Sequence, residues 1–402
     1  MTRSTANRPP ARRTLLRRLT PVVHQLDHAI SRLSANREVL VELRTPVYHA
    51  VLAPIAEALA AQSGVRVWYT SEQPDRVREL VPADRLLAHR DVAWRRFDLY
   101  INGDPWAAAR LRRCARRVNF FHGVAGKYDL DNPAGLPLGF EYYDRVAFIN
   151  RDRMARYLAA GIVTPRQGAL VGYPKIDRLA AGAYDAAAVR AQLGLESTRP
   201  AVLYAPTYSE ASSLHLAGEE IVRSLAAAGF AVIVKLHDRS LDADRRYTAG
   251  VDWRARFAAI IDELGPSRVA FAEAPDASPL LAAADVMVTD HSSIGFEFLV
   301  RDRPLVVFDA PDLAAVARIN VEKVAMLRSA ATVIASAGEA AAAATRGLAE
   351  PAALSPVRRR IASALFHDAG RATERAVALL MPLLHPGAAI PVESPLPRQS
   401  LT

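Results

Sequence analysis

The stretch Ala284 to Asp309, ADVMVTDHSSIGFEFLVRDRPLVVFD, decides the fold. Asp285 to Thr289 reads as a short buried strand, Ser292 to Val300 as a helix and Leu305 to Phe308 as a second buried strand, with the polar residues gathered in the turn between strand and helix. A strand, turn, helix, strand unit of this kind belongs to a parallel α/β sheet. At the start of the helix, Ser292 and Ser293 add hydroxyls to the free backbone N–H groups of the first turn, a combination suited to a phosphate or diphosphate; Asp290 sits just before them. Glu297, one turn beyond Ser293 on the same face, is placed to take the two hydroxyls of a ribose. Taken alone, the segment reads more readily as an ordinary Ser-capped helix with an acid in its first turn. The rest of the chain favours the ligand.

The same unit recurs in both directions. Upstream, Ala201 to Tyr204, Phe230 to Leu236 and Arg268 to Phe271 predict three further strands, the first ending in Ala205, Pro206 and Thr207 and the second in Lys235 and His237. Earlier still, strands are expected at Glu38 to Leu43, Val65 to Tyr69, Asp98 to Ile101, Val118 to Phe121 and Val146 to Ile149, with helical segments between several of them. In such sheets the carboxyl ends of the strands face the ligand crevice. His122 stands at one of those ends with Gly123 and Lys127 after it, where a general base is placed, although a lone His there is more often a structural hydrogen-bonder. A further strand ends in the turn of VGYPKID, 171–177, which includes Lys175 and closes the first half. His237 after Lys235 repeats the arrangement in the second half, so the two imidazoles are expected to look into one cleft. No G-x-G-x-x-G follows the first strand, which removes the main support for a dinucleotide oxidoreductase.

Composition agrees with a large soluble globular class: 402 residues, 51% hydrophobic and 23% charged. The longest uncharged run, Ala376 to Val392, contains three prolines and His385 and is not a spanning helix. No secretory signal is visible and Cys114 is the single cysteine, so a cytoplasmic location and no cysteine-based metal cluster are expected. The net charge of +9 points to an anionic partner, while 7% aromatics and no recognition motif argue against nucleic acid. Residues 1 to 20 hold six arginines and no acid. Val22, Val23, Leu26, Ile30 and Leu33 then recur at helical spacing, either as an anchor on acidic lipid headgroups, with Arg12, Arg13, Arg17 and Arg18 beside it, or as a helix packed on the first domain.

Six pieces together resemble a known pattern. FHGVAGK at 121–127, VGYPKID at 171–177, LYAPTY at 203–208, KLH at 235–237, VTDHSSIGFEF at 288–298 and HDAGRATERAV at 367–377 are similar, in order and spacing, to the motifs of the CDP-glycerol glycerophosphotransferase family, which builds teichoic-acid and related capsule polymers. The resemblance implies a GT-B architecture: two Rossmann-like domains whose parallel sheets face each other across a cleft, with C-terminal helices crossing back. The expected division is a basic arm and amphipathic helix at 1–37, an acceptor domain at 38–180, a nucleotide-donor domain at 199–350 and crossover helices at 356–385. It also implies roles. His122 is the base that deprotonates an acceptor hydroxyl, and His237 meets the donor diphosphate. Thr207, Lys235, Asp290, Ser292, Ser293 and Glu297 hold nucleotide and diphosphate, and Lys127 and Lys175 touch acceptor or phosphate.

This chain departs from the family at four positions. Ser209 stands where a basic residue is usual, Asp238 where Pro follows the second His, Glu297 where the acid is commonly Asp, and His291 where a Tyr precedes the serines. The expected activity is transfer of glycerol phosphate, or a related polyol phosphate, from CDP-glycerol or another nucleotide-diphosphate donor to a surface polymer or its lipid-linked precursor. No D-x-D carboxylates lie at a strand end, so neither metal nor cofactor is expected. Three alternatives remain: a glycosyltransferase using a CMP- or UDP-sugar, a UDP-sugar 2-epimerase of the same fold, and an inert polymer-binding homologue, suggested by Ser209 and Asp238.

Overall fold

The computed structural model describes residues 22, 25–27, 29–30, 36–93, 95–104, 113–124, 126, 128, 130–136, 138–242 and 245–384. Lys127, most of the basic arm and its arginines, Val23, Leu33 and the tail from His385 onward lie outside them.

Two parallel sheets form. The first has seven strands in the order β3-β2-β1-β4-β5-β6-β7: β1 Arg37–Glu42, β2 Val65–Ser71, β3 Leu86–Ala88, β4 Phe97–Asn102, β5 Cys114–Phe120, β6 Arg145–Phe148 and β7 Gly168–Leu170. The second has six, in the order β10-β9-β8-β11-β12-β13: β8 Ala201–Tyr204, β9 Ala231–Val234, β10 Val269–Phe271, β11 Val286–Thr289, β12 Leu305–Phe308 and β13 Thr332–Ile334. In each sheet the chain works outward to one edge and then returns to the middle to build the other half. Val39 of β1 therefore pairs with both Val67 and Leu99, and Leu203 of β8 lies in register between Ile233 and Met287. The connections diverge at β1/β4 and β8/β11 and leave a crevice at the carboxyl end of each sheet.

Burial follows the pleat. Leu203, Met287, Leu305 and Val307 face one core while their neighbours Val202, Val288, Val306 and Phe308 face another. The larger core continues from the first sheet into the face of the second that carries Phe296 and Phe298. Those two side chains belong to α5, Ser293–Phe298, in the chain-order series α1 Pro46–Ala60, α2 Arg151–Ala159, α3 Ser213–Ala227, α4 Trp253–Leu264, α5, α6 Val321–Ser329, α7 Ser355–Leu365 and α8 Ala372–Leu384. The α5 helix is shorter than its sequence predicts. A 3₁₀ turn over Leu299–Arg301 follows it and ends at Asp302 with φ 49°, where the carboxylate takes bonds from Ser355 and Arg358 of α7.

The C-terminal helices cross back. While α7 lies against the turn after α5, α8 packs on α1 and the segment Pro174–Ile176 of the first half. The joint is specific: the Asp177 carboxylate accepts from the N–H groups of Gly370, Ala372 and Thr373 at 3.1, 3.0 and 2.6 Å, which caps α8 from the other half of the chain. Gly172, at φ 95°, leaves room for the turn between α7 and α8, because a Cβ there would stand 2.7 Å from the His367 carbonyl.

Candidate active site

A cavity of about 1310 Å³ lies where the two sets of carboxyl ends meet. Most of the lining residues follow a strand closely: Arg44 to Tyr48 after β1, Gln73, Asp75 and Arg76 after β2, Asp104 after β4, His122 after β5, Pro206 and Tyr208 after β8, Lys235 to Arg239 after β9, and Ser292, Ser293 and Glu297 after β11. His122 and His237, one from each sheet, therefore share one groove.

Several contacts hold His122. Its Nδ1 lies 2.7 Å from the Gly103 carbonyl, which can only accept; the proton is therefore on Nδ1 and the basic lone pair on Nε2. Tyr48 packs against the ring at 4.5 Å between centroids and reaches it because residue 103 is glycine, where a Cβ would meet the Tyr48 ring at 2.7 Å. The backbone beyond is pinned by Tyr173, whose hydroxyl donates to the His122 carbonyl at 2.9 Å, and by Arg153, whose Nη1 donates to the Gly123 carbonyl at 2.6 Å while its Nε bonds buried Asp131 at 2.8 Å. Burial holds the imidazole below its ordinary pKa, against the opposing effects of the Gly103 bond and Asp104, so the neutral ring is favoured.

On the second wall His237 packs on Tyr208, with centroids 4.3 Å apart, and its Nδ1 lies 2.5 Å from Asp238 Oδ1. Lys235 is pushed down to about 8 by burial, which Asp238 partly opposes. Ser292 and Ser293 border the same space, and Ser292 makes no side-chain cap to its own helix. Glu297 is engaged: its Oε2 takes Lys175 Nζ at 2.7 Å, an ion pair between the halves with side chains only 5% and 9% exposed.

Two of the expected ligand residues sit elsewhere. Thr207 and Asp290 are buried behind the wall, where the Asp290 carboxylate accepts from Thr207 N–H at 2.9 Å and from the N–H and hydroxyl of Ser213 at 3.1 and 3.0 Å. They fasten the loop after β8 to the start of α3, and the segment after β11 holds both together. Lys127 falls outside the described residues, though its neighbours Gly126 and Tyr128 line the cavity. Other lining residues carry no motif: Tyr48, Arg44 with its ion-pair partner Asp104, Arg76, Tyr128, Arg239 and Arg318. Most lie within a few residues of a strand end, the one sequence signal that would have found them. Although Ser209 is not basic, a guanidinium stands beside this loop, Arg239 lying 5.1 Å over the Tyr208 ring.

Residues 157–318 match the model of the CDP-glycerol:poly(glycerophosphate) glycerophosphotransferase family, so the motif resemblance is borne out over that span. No curated protein matches the sequence. Among solved structures, a His-to-Asn variant of the wall teichoic acid polymerase TagF is 15% identical, with a TM-score of 0.68 over 94% of this chain and 98% of that one. The same kind of variant soaked with CDPG is 14% identical, with a TM-score of 0.66 over 92% and 97%. A UDP-GlcNAc 2-epimerase from Neisseria meningitidis bound to UDP-GlcNAc is 12% identical, with a TM-score of 0.53 over 86% and 99%. At these identities the likeness establishes the fold, which is GT-B.

Proposed function

We propose that the chain moves glycerol phosphate, or a related polyol phosphate, from a CDP-linked donor to a hydroxyl of a surface polymer or its lipid-linked precursor. The acceptor hydroxyl gives its proton to His122 Nε2 as its oxygen attacks the phosphorus that carries the glycerol. The bond from that phosphorus to the bridging oxygen breaks, and CMP leaves with the bonding pair. His237, Lys235, the Ser292 and Ser293 hydroxyls and the N–H groups of the first turn of α5 offset the charge on the departing phosphate. Six residues make a weak dipole, so local donors do this work more than the helix as a whole. Glu297 takes the ribose and Lys175 balances its charge.

The observation that carries this reading is an imidazole with its Nδ1–H committed to Gly103, in one cavity with a second imidazole and the paired serines, in a chain whose residues 157–318 match the glycerophosphotransferase model. CMP release is measured with CDP-glycerol, CDP-ribitol, CMP-sugars and UDP-sugars, with and without EDTA. Turnover of a CDP-polyol, unaffected by EDTA, is expected, with about 2.7 kcal/mol of added stability at 100 times the dissociation constant. Turnover of a nucleotide sugar alone would overturn the polyol assignment, and neither turnover nor stabilisation by any donor would favour the inert homologue.

The acceptor would be met at the inner face of the membrane. Among the described residues no helix is long and apolar enough to cross a membrane. Val22, Leu26 and Ile30 are 54%, 58% and 44% exposed, while Asp27 is buried and paired with Arg113 at 2.9 Å. Described helical residues that turn Asp27 inward and Val22, Leu26 and Ile30 outward, in a sequence preceded by six arginines, fit an anionic lipid surface. Cosedimentation with phosphatidylserine vesicles but not phosphatidylcholine vesicles, lost on replacing the three apolar residues with Ser, is the expected result.

A further inference from the structure

We infer that Asp238 is a positioning residue for His237: its carboxylate fixes the proton on Nδ1 and the plane of the ring, and Arg76 from the opposite half holds the carboxylate. The inference rests on the reading above in which His237 meets the donor diphosphate. In the family pattern that this segment resembles, Pro stands at this position and offers no side-chain acceptor.

The partition of contacts carries the argument. Asp238 Oδ1 lies 2.5 Å from His237 Nδ1, and the Arg239 N–H lies 3.1 Å from that nitrogen and 3.0 Å from that oxygen. An ionised carboxylate has no proton to give, so at 2.5 Å the hydrogen between the two side chains belongs to Nδ1, and the Arg239 N–H goes to the carboxylate. Oδ2 takes Arg76 Nη2 at 3.3 Å, and Asp242 lies 3.6 Å from Arg76 Nη1. Each carboxylate oxygen of Asp238 thus serves a different half of the protein. The ring is held from its own loop, and the loop is held across the mouth of the cleft.

An acid so placed favours the imidazolium. Burial pushes the Asp238 carboxyl up, but the hydrogen bond and charge of His237, with Arg76 and the Arg239 N–H, outweigh it and leave the carboxyl at about 2. The coupling is mutual, so the pair titrates as a unit. Tyr208, Asp238 and the Arg239 N–H touch the ring, and the charged groups of Arg239 and Asp242 on its own loop, Lys235 at the end of β9 and Arg76 opposite line the same cavity. Of these only the carboxylates favour the ring's charge, and Asp238 is in contact with it.

The test needs a readout independent of donor turnover. The imidazole of His237 is titrated by NMR in ¹⁵N-His protein, assigned with H237Q, for the native chain and for D238N, D238A and D238E, each checked for an unchanged fold by circular dichroism. The titration midpoint of the native ring is expected to fall by one pH unit or more in D238N and D238A and to recover in D238E. With CDP-glycerol, the alkaline limb of kcat shifts by the same amount, and kcat falls more than KM rises. An identical titration in native protein and D238N overturns the inference whatever the donor. The NMR shift without any turnover of a CDP-polyol by the native enzyme supports the pair and overturns the functional reading instead.

Discussion

His122 and His291 are both imidazoles that burial keeps neutral, yet only His122 has a partner. Neither ring nitrogen of His291 meets one among the described residues. If His122 is the base, H122A lowers kcat by about 10² to 10⁴ with little change in donor affinity or melting temperature, read by single-turnover assay and calorimetry. Because the folded ring is harder to protonate than a free one, the acid limb of kcat/KM lies below 6.5, and kinetics between pH 5 and 8 locate it. The same sign governs stability. A group whose folded pKa is depressed contributes stability above its unfolded pKa and loses it as pH falls through the folded value. For His291 that contribution is entangled with two unpaired nitrogens, so H291L is expected to be neutral or slightly stabilising at pH 7.5 and to lose less stability than the native protein between pH 6.5 and 5, measured by urea denaturation.

At the scale of elements, the motifs at 171–177 and 367–377 explain each other. In VGYPKID, Gly172 makes room for the His367 carbonyl and Asp177 caps α8; in HDAGRATERAV, Gly370, Ala372 and Thr373 supply the capped N–H groups and Arg375 Nε donates back to the Val171 carbonyl at 2.7 Å. D177A removes three charge-assisted bonds and is expected to cost about 2 kcal/mol, with α8 exchanging its amide hydrogens first. The long apolar strands were legible because burial on both faces writes them as continuous runs. Of the four three-residue edge strands, β7 and β10 were legible because they are largely buried, while β3 and β13 were not, because each is too short for a period and mostly unburied. His122, His237 and the serines were legible from their place after strands. Thr207 and Asp290 misled because a buried carboxylate that gathers backbone N–H groups has the same local sequence as one that meets a ligand. Arg76 was invisible because its acidic partners lie 162 and more residues away.

At the scale of the whole molecule the two sheets share a core and are tied beside the cavity by ion pairs, among them the buried Lys175–Glu297 pair. Both residues belong to motifs, and neither motif shows that they bond each other. K175M leaves the Glu297 carboxylate, with 5% of its side chain exposed, without its cation, and the expected loss is about 3–5 kcal/mol in urea denaturation. E297Q keeps an acceptor for Lys175 but removes the charge, and its loss is expected to be smaller. The double variant K175M/E297Q should be more stable than K175M alone, since the stranded charge is gone, which gives a coupling energy of opposite sign to the two single losses. Donor binding follows a different order. If Glu297 holds the ribose, E297Q and the double variant both lose at least tenfold in CDP-glycerol affinity by calorimetry, whereas K175M keeps part of it wherever it remains folded. Recovery of affinity in the double variant along with its stability would mean that the pair only joins the two halves, and that the ribose is held by another residue of the cleft.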